Sequence, residues 1–292
     1  MPELPEVETT VRDLQKNILG LKIEDFWTDF KKNIKRPKRI EEFKKTIVGK
    51  KIVDVKRRGK NILFFLSGGK ILLIHQKLTG HLLYGRWKME HGRWLSLVEG
   101  FLNESVNRFI HLMFKLDNGK MLALSDLRKF AKIEIWERAE LKNSKEFKNL
   151  GPEPLDKNFT FEKFEERLSK KKKGKIKQVL MDQSMIAGIG NIYSDEILWR
   201  AKVHPLKDVS KLNGGELEEI YRAMKEILPK AIKLGGESFS DFRRISGERG
   251  YFDKERKVYR RTGEKCSRCG AVVKRLKTGG RSAHFCPKCQ KL

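Results

Sequence analysis

The chain has 292 residues, 39% of them apolar, and 65 Lys and Arg stand against 38 Asp and Glu, a net charge of +27. This length suits two domains plus a small module, and the apolar content suits packed cores, which excludes a disordered chain. The charge predicts a polyanionic partner, with nucleic acid first and a membrane surface second. No apolar run approaches the roughly 20 residues of a spanning helix. The acidic start is also unlike a signal peptide, so we expect a prokaryotic protein of the cytoplasm and nucleoid space.

The chain begins Met-Pro-Glu-Leu-Pro-Glu-Val-Glu, and two interpretations of this stretch are open. In one, removal of Met1 exposes Pro2 as a secondary amine that is far less basic than a lysine and so is partly uncharged at neutral pH. Attack by this amine on a sugar's anomeric carbon would give a charged iminium, and Glu3 and Glu6 could move the protons. In the other, Pro5 and the acidic residues only begin a helix. Helical spacing then continues through Val7, Val11, Leu14 and Ile18.

Short apolar segments broken by glycine and charge follow this helix, and they predict strands. They are Lys51–Val55, Ile62–Leu66, Ile71–His75, His81–Tyr84, Arg108–Leu116, Met121–Leu124 and Lys132–Trp136. We therefore predict a β-sandwich with one packed helix over residues 1–137, with a barrel as the alternative. Residues 85–107 show no clear periodicity and are left as an irregular excursion.

The second half of the chain changes character after a proline-containing linker, residues 138–155. Helical spacing then predicts a helical domain over residues 156–253, with helices near 160–168, 178–182, 193–200 and 216–233. A lysine run before the second helix, Lys170 to Lys177, is either a solvated loop or a contact to phosphates without base specificity. A segment containing Ser238, Ser240 and Arg243 predicts a mobile loop.

All four cysteines lie near the C-terminus, in two Cys-x-x-Cys pairs separated by sixteen residues: Cys266, Cys269, Cys286 and Cys289. This spacing predicts four thiolates around one structural Zn²⁺ in a reducing compartment, and a site filled by sulfur cannot activate water. Residues 254–292 also carry thirteen Lys or Arg against two Glu. The segment is too short for a core of its own, so we predict a basic zinc-finger β-hairpin that the metal holds together.

Several residues in predicted turns are weak signals by themselves. Lys60 follows a glycine in a basic turn that is as readily solvated as functional. His75 closes a buried-looking strand, where a histidine is more often a core residue. Asn191 follows a Gly-x-Gly turn at the start of a helix, where backbone N–H groups bind phosphate.

The start PELPEVE resembles the N-terminus of the formamidopyrimidine-DNA glycosylases, and Met181–Glu196 resembles the helix–two-turn–helix of that superfamily. The resemblance covers nearly the whole chain in order. It implies an α+β multidomain protein that acts on damaged double-stranded DNA as a monomer without an obligatory protein partner. It also implies a bifunctional enzyme, which excises oxidised purines such as 8-oxoguanine and then cuts the strand by β- and δ-elimination.

The same resemblance assigns roles to individual residues. Pro2 would displace the base and form a Schiff base, Glu3 would protonate the sugar-ring oxygen, and Glu6 would assist proton transfer. The residues implied to hold the DNA backbone at the lesion are Lys60, His75, Lys177, Asn191 and Arg281. The residues implied to fill the gap left by the extruded nucleotide are Leu78, where the family has a methionine, with Arg128 and Phe130.

Two alternative functions are left open. An enzyme of the same fold could prefer oxidised pyrimidines, as endonuclease VIII does, and excision of 8-oxoguanine beside thymine glycol would distinguish the two. A DNA-damage sensor that binds without cutting is the other alternative. It predicts no covalent adduct when borohydride is added to the protein with damaged duplex.

Overall fold

A computed structural model gives the structure of the chain at residues 1–171, 173–238 and 241–292. Lys172 of the lysine run and Ser240 of the predicted loop lie outside these described residues. Within them, no helix combines the length and the apolar character that crossing a bilayer requires.

The described residues form two compact units. The first contains residues 1–148 and 234–253, and the second contains residues 149–233 and 254–292. The segment 234–253 therefore belongs to the N-terminal unit. The three boundaries that the sequence places after residues 137, 155 and 253 stay a prediction.

Helix α1 (Leu4–Ile18) opens the first unit. Pro5 lies in its first turn, and Glu6 supplies an acidic side chain at its positive end. The apolar stripe of Val7, Val11, Leu14 and Ile18 is buried along its whole length. Docking of this stripe fixes the direction in which the N-terminus of the chain points.

Eleven strands follow α1 among the described residues of this unit. In chain order they are β1 (Ile23–Thr28), β2 (Ile34–Arg36), β3 (Ile52–Arg58), β4 (Asn61–Leu66), β5 (Lys70–His75), β6 (His81–Gly85), β7 (Trp87–Glu90), β8 (Arg93–Ser96), β9 (Ile110–Leu116), β10 (Met121–Ser125) and β11 (Lys132–Glu137). One sheet has the order β1-β9-β10-β6, and the other has the order β2-β11-β5-β4-β3. Strands β7 and β8 form a separate hairpin within the excursion at residues 85–107.

The core of this unit lies between the two sheets. Apolar side chains of one sheet, such as Phe114 and Leu124, share a buried cluster with those of the other, such as Phe64 and Ile133. Helices α1 and α2 (Ile40–Ile47) close this cluster, and α3 (Arg138–Asn143) and α4 (Lys145–Lys148) follow the last strand. The predicted β-sandwich with a packed helix is confirmed, with α2 as an addition.

The second unit is helical and ends in a hairpin. Its elements are α5 (Phe161–Ser169), α6 (Ile176–Met181), α7 (Asn191–Arg200), α8 (Gly214–Lys233), β12 (Lys274–Thr278) and β13 (Arg281–Phe285). Strands β12 and β13 pair antiparallel, and Trp199 of α7 shares a buried cluster with Cys266 and Cys286. The hairpin therefore completes its core with a helix of the same unit.

Candidate catalytic and nucleic-acid-binding site

The first turn of α1 is fixed through Glu6. One oxygen of its buried carboxylate, Oε2, accepts the backbone N–H of Glu3 at 2.7 Å, and the other, Oε1, accepts the N–H of Glu237 at 2.8 Å. Gly236 has φ +81°, and a Cβ there would lie 3.0 Å from Glu6 Cγ and Oε1, so this close approach requires glycine. The Glu6 carboxylate thus holds two backbone segments at once. One is Glu3, which follows Pro2, and the other is the start of the 234–253 segment.

The 234–253 segment has further anchors in the first unit. Arg244 donates to both carboxylate oxygens of Asp13 on α1, at 2.8 and 3.0 Å, and this pairing raises the pKa of Arg244. Ile245 accepts the N–H of Tyr84 on β6 at 2.7 Å. These contacts join residues far apart in the sequence, so local pattern could not reveal them.

Lys60 lies in the turn between β3 and β4, and this turn is tied to α1. Arg57, which precedes it, donates to Glu8 of α1 at 2.9 Å and to the carbonyl of Gly59 at 3.1 Å. Burial would raise the pKa of Glu8, but the guanidinium groups of Arg57 and Arg12 hold it below its ordinary value. Lys60 itself is buried at 7% exposure. The helix that Glu3 caps and that carries Glu6 therefore also holds the turn that contains Lys60.

His75 ends β5 as a neutral imidazole. Burial, with the charges of Lys77, Lys60 and Lys132, lowers its pKa from 6.5 to about 3. Its Nδ1 accepts the N–H of Lys77 at 3.0 Å, which leaves the proton on Nε2. His75 can therefore offer a phosphate one N–H donor and no charge at neutral pH.

We predict that His75 makes the fold sensitive to acid. The folded protein binds this proton less readily than the unfolded chain, so the free energy of unfolding should fall as the pH drops from 6.5 towards 3. His75→Gln should remove that component, measured as a smaller loss between pH 7 and pH 4 in urea titrations. His91→Asn, at an exposed turn, is the matched control. If the free energy of unfolding falls equally with pH in the original protein and in His75→Gln, the prediction is wrong.

Leu78 lies on one turn and the pair Arg128 and Phe130 on another, and the hydroxyl of Thr79 joins the two turns through two hydrogen bonds. The hydroxyl of Thr79 donates to Asp126 Oδ1 and accepts the N–H of Arg128 at 3.0 Å. The Arg128 guanidinium lies 4.9 Å from the Phe130 ring centroid, and Phe130 is 52% exposed. An exposed ring beside a guanidinium on a rigid turn suits insertion into a base stack.

We predict that Thr79→Val will loosen these two turns. The change keeps the side-chain shape but removes both hydrogen bonds of the hydroxyl, at a cost of about 1–3 kcal/mol in unfolding free energy. The preference for lesion-containing over undamaged duplex should fall in a fluorescence-anisotropy titration. Thr46→Val, which removes a hydroxyl bonded only within α2, should leave this preference unchanged. Equal losses in both variants would count against the coupling.

The turn before α7 is held by Gln183. Its amide accepts the N–H of Gly188 at 2.8 Å and donates to the carbonyl of Ile189 at 2.7 Å. Asn191 is the first residue of the helix, and its amide oxygen has no hydrogen-bond partner among the described residues. The rigid turn thus presents Asn191 at the positive end of a helix, where an anion binds readily.

Lys177 lies in the interior of the second unit. Its ammonium pairs with Asp195, and both side chains have 0% exposure. This placement does not suit a direct contact with phosphate, because the ion pair would have to open first. In this structure Lys177 instead joins α6 to α7.

The four cysteine sulfurs all lie within 4.8 Å of one another. A tetrahedral site with Zn–S bonds of about 2.3 Å has sulfurs about 3.8 Å apart, so the donor set fits one zinc ion. Burial opposes the charged form of Cys266, but donors including the Trp199 indole lower its pKa to about 6. Burial and its neighbouring cysteines raise the pKa of Cys289 to about 12, so a cation is needed before all four can be thiolates.

Three family profiles match the chain in order. They are the formamidopyrimidine-DNA glycosylase N-terminal domain at residues 1–133, the formamidopyrimidine-DNA glycosylase H2TH domain at 150–243, and the zinc finger found in FPG and IleRS at 263–292. The two-sheet unit, the helical unit and the four-cysteine hairpin thus define a zinc-finger protein of the DNA glycosylase class. The cysteine cluster is the structural zinc site among the residues that the structure describes.

Curated relatives match over the whole length. The formamidopyrimidine-DNA glycosylase of Pelotomaculum thermopropionicum is 39% identical and covers 100% of both chains. That of Bacillus cereus strain ATCC 14579 is 37% identical and covers 99% of both. The chain belongs to the formamidopyrimidine-DNA glycosylase family.

Solved structures of similar proteins contain DNA. MutM in complex with carbocyclic 8-oxo-G DNA has a TM-score of 0.86 and 36% identity, covering 100% of both chains. The wild-type Lactococcus lactis protein with an oxidized-pyrimidine DNA has the same TM-score, identity and coverage.

Proposed function

We propose that this chain is a bifunctional DNA glycosylase and abasic-site lyase that repairs oxidised purines in duplex DNA. The observation that carries this proposal is the end-to-end similarity to a protein solved with 8-oxoguanine DNA. The net charge of +27 supports a nucleic-acid partner. We infer that the enzyme acts as a monomer in the cytoplasm of a prokaryote.

Catalysis begins at the N-terminus once Met1 is removed. The Pro2 nitrogen attacks C1′ of the damaged nucleoside, the base leaves with the bonding electron pair, and the nitrogen gives up its proton. The C1′–O4′ bond of the sugar then breaks, its electron pair goes to the ring oxygen, and an iminium forms. Glu3 protonates the sugar-ring oxygen, and Glu6 holds the turn that aims the amine. Lys60 lies on a turn tied to the same helix and contacts the phosphate at the lesion. The fixed positive charge makes the C2′–H acidic, and loss of that proton expels the 3′ phosphate. Loss of a second sugar proton, from C4′, then expels the 5′ phosphate.

The remaining site residues hold and distort the duplex. His75 offers a neutral N–H donor to a phosphate, while Asn191 and Arg281 bind phosphates from the second unit. Leu78, Arg128 and Phe130 fill the stack where the nucleotide is extruded. Leucine keeps the apolar wedge that a methionine gives in the family.

Borohydride trapping tests this proposal. Mixing the protein with duplex that contains 8-oxoguanine should give a covalent adduct stable to denaturing electrophoresis, and mass spectrometry should find Pro2 as the first residue. Undamaged duplex of the same sequence is the control. Absence of an adduct, or an active preparation that retains Met1, would refute the amine mechanism.

Oxidised pyrimidines are the second candidate substrate, because a similar protein was solved with DNA containing one. Excision rates of 8-oxoguanine and thymine glycol, measured on otherwise identical duplexes, rank the two. We expect the purine to be removed faster.

A further inference from the structure

Two consecutive carboxylates on α7, Asp195 and Glu196, are buried and bond to the C-terminal module. Asp195 Oδ2 accepts the backbone N–H of His284 at 3.0 Å and lies 2.9 Å from its ring Nδ1. Its other oxygen pairs with Lys177. The interior charge of Asp195 is therefore fully engaged, with one oxygen on α6 and the other on β13.

Glu196 binds the chain that leads into the finger. Its Oε1 accepts the N–H groups of Val258 at 3.0 Å and Tyr259 at 2.8 Å, and its Oε2 accepts that of Lys257 at 2.8 Å. Burial raises the pKa of Glu196, and these three donors act against that rise. One side chain thus fixes three successive residues ahead of the first cysteine pair.

The metal alone cannot fix the far end of the hairpin. Arg281 is the first residue of β13 and lies five residues before Cys286, a distance of about 17 Å along an extended strand. A two-stranded hairpin is only marginally stable by itself. His284 lies on β13 between Arg281 and Cys286. Its bonds to Asp195 therefore hold the part of the strand that the zinc does not reach.

The turn of the hairpin is positioned in the same way. Gly279 has φ +55°, and a Cβ there would lie 2.3 Å from Gln178 Nε2 on α6. The turn beside Arg281 therefore lies directly against a helix. Asn191, the other phosphate-binding residue of this unit, is the first residue of α7.

We propose that Asp195 and Glu196 form a dock that sets the orientation of Arg281, so that α7 positions both phosphate-binding residues of the second unit. This inference rests on the proposed function, in which Arg281 and Asn191 grip the DNA backbone. Asp195 and Glu196 are positioning residues and do not touch DNA. The zinc ion holds the end of the hairpin that carries the cysteines, and α7 orients the opposite end, which carries Arg281.

Asp195→Asn tests the dock, since the amide cannot accept on both sides. We expect one zinc per chain to be retained and duplex affinity to fall about tenfold. The slope of log affinity against log salt should also decrease by about one unit, as for one lost phosphate contact. In an Arg281→Ala background, Asp195→Asn should have no further effect on affinity. Asp208→Asn, which removes a capping carboxylate in the same unit, is the matched control and should keep the slope.

Additive effects of Asp195→Asn and Arg281→Ala, an unchanged affinity, or loss of the zinc would each overturn the proposal. If Asp195→Asn does not fold by circular dichroism, Glu196→Gln takes its place with the same expected results. Borohydride trapping by the original protein distinguishes failure of the dock from failure of the proposed glycosylase and lyase function. An adduct with additive variants refutes the dock alone, whereas no adduct refutes the proposed function.

Discussion

Replacement of Pro2 by glycine should reduce excision of 8-oxoguanine by about a hundredfold, or about 2.7 kcal/mol of barrier, while duplex affinity stays nearly unchanged. Glycine keeps a terminal amine, but its Schiff base is a neutral imine that must gain a proton before elimination. The secondary amine of proline instead gives an iminium that is always charged. Single-turnover excision and gel-shift titration on one duplex measure the two effects separately.

Pro5→Ala is the matched control for this experiment. It alters a proline in the first turn of α1 and leaves the terminal amine in place. We expect its excision rate to stay within about threefold of the original, because alanine is well suited to a helix. A fully active Pro2→Gly variant, or equal losses in both variants, would remove Pro2 from the chemistry.

Replacement of Cys286 by serine should abolish zinc binding and most DNA affinity. Cys286 is completely buried, and it shares a cluster with Trp199 of α7 and Cys266. Serine gives up a thiolate ligand and places a hydroxyl in that cluster, so the hairpin that carries Arg281 loses both its metal and its packing. Metal analysis and anisotropy titration of labelled duplex measure the two losses.

Ser267→Ala, an exposed change inside the first Cys-x-x-Cys pair, should retain both zinc and affinity. The Trp199 indole donates to Cys266 at 3.4 Å, so Trp199 emission should shift only in the cysteine variant. Normal DNA affinity in zinc-free Cys286→Ser would mean that the finger is not needed for binding.

The strands with continuous apolar runs could be predicted because their signal is local. All seven predicted segments overlap observed strands of the two sheets. Strand β1 shows no period of two in the sequence, because its register shifts between Ile23 and Asp25 and the buried Ile23 and Phe26 are three residues apart. The short β2 offers only three residues, too few for any periodicity.

The zinc site could also be predicted, since its four ligands are spaced in sequence as the metal requires. The hydrogen bonds that hold the other site residues in place could not be predicted from the sequence. The bonds from Thr79 to Asp126 and from Arg244 to Asp13 join distant segments. Lys177 shows the same limit, because a lysine in a basic run gave no sign that its partner was a buried aspartate.

The chain enters the second unit at Asn149 and leaves it at Leu234, only to return at Lys254. A gene fragment that stops after Lys148 therefore encodes an unfinished module. In it Glu6 lacks the N–H donor of Glu237, and Asp13 lacks the guanidinium donors of Arg244. Expression of that module alone calls for grafting 234–253 onto its C-terminus through a short designed connector. Such a minimal scaffold would show whether the proposed amine chemistry at Pro2 needs the helical unit.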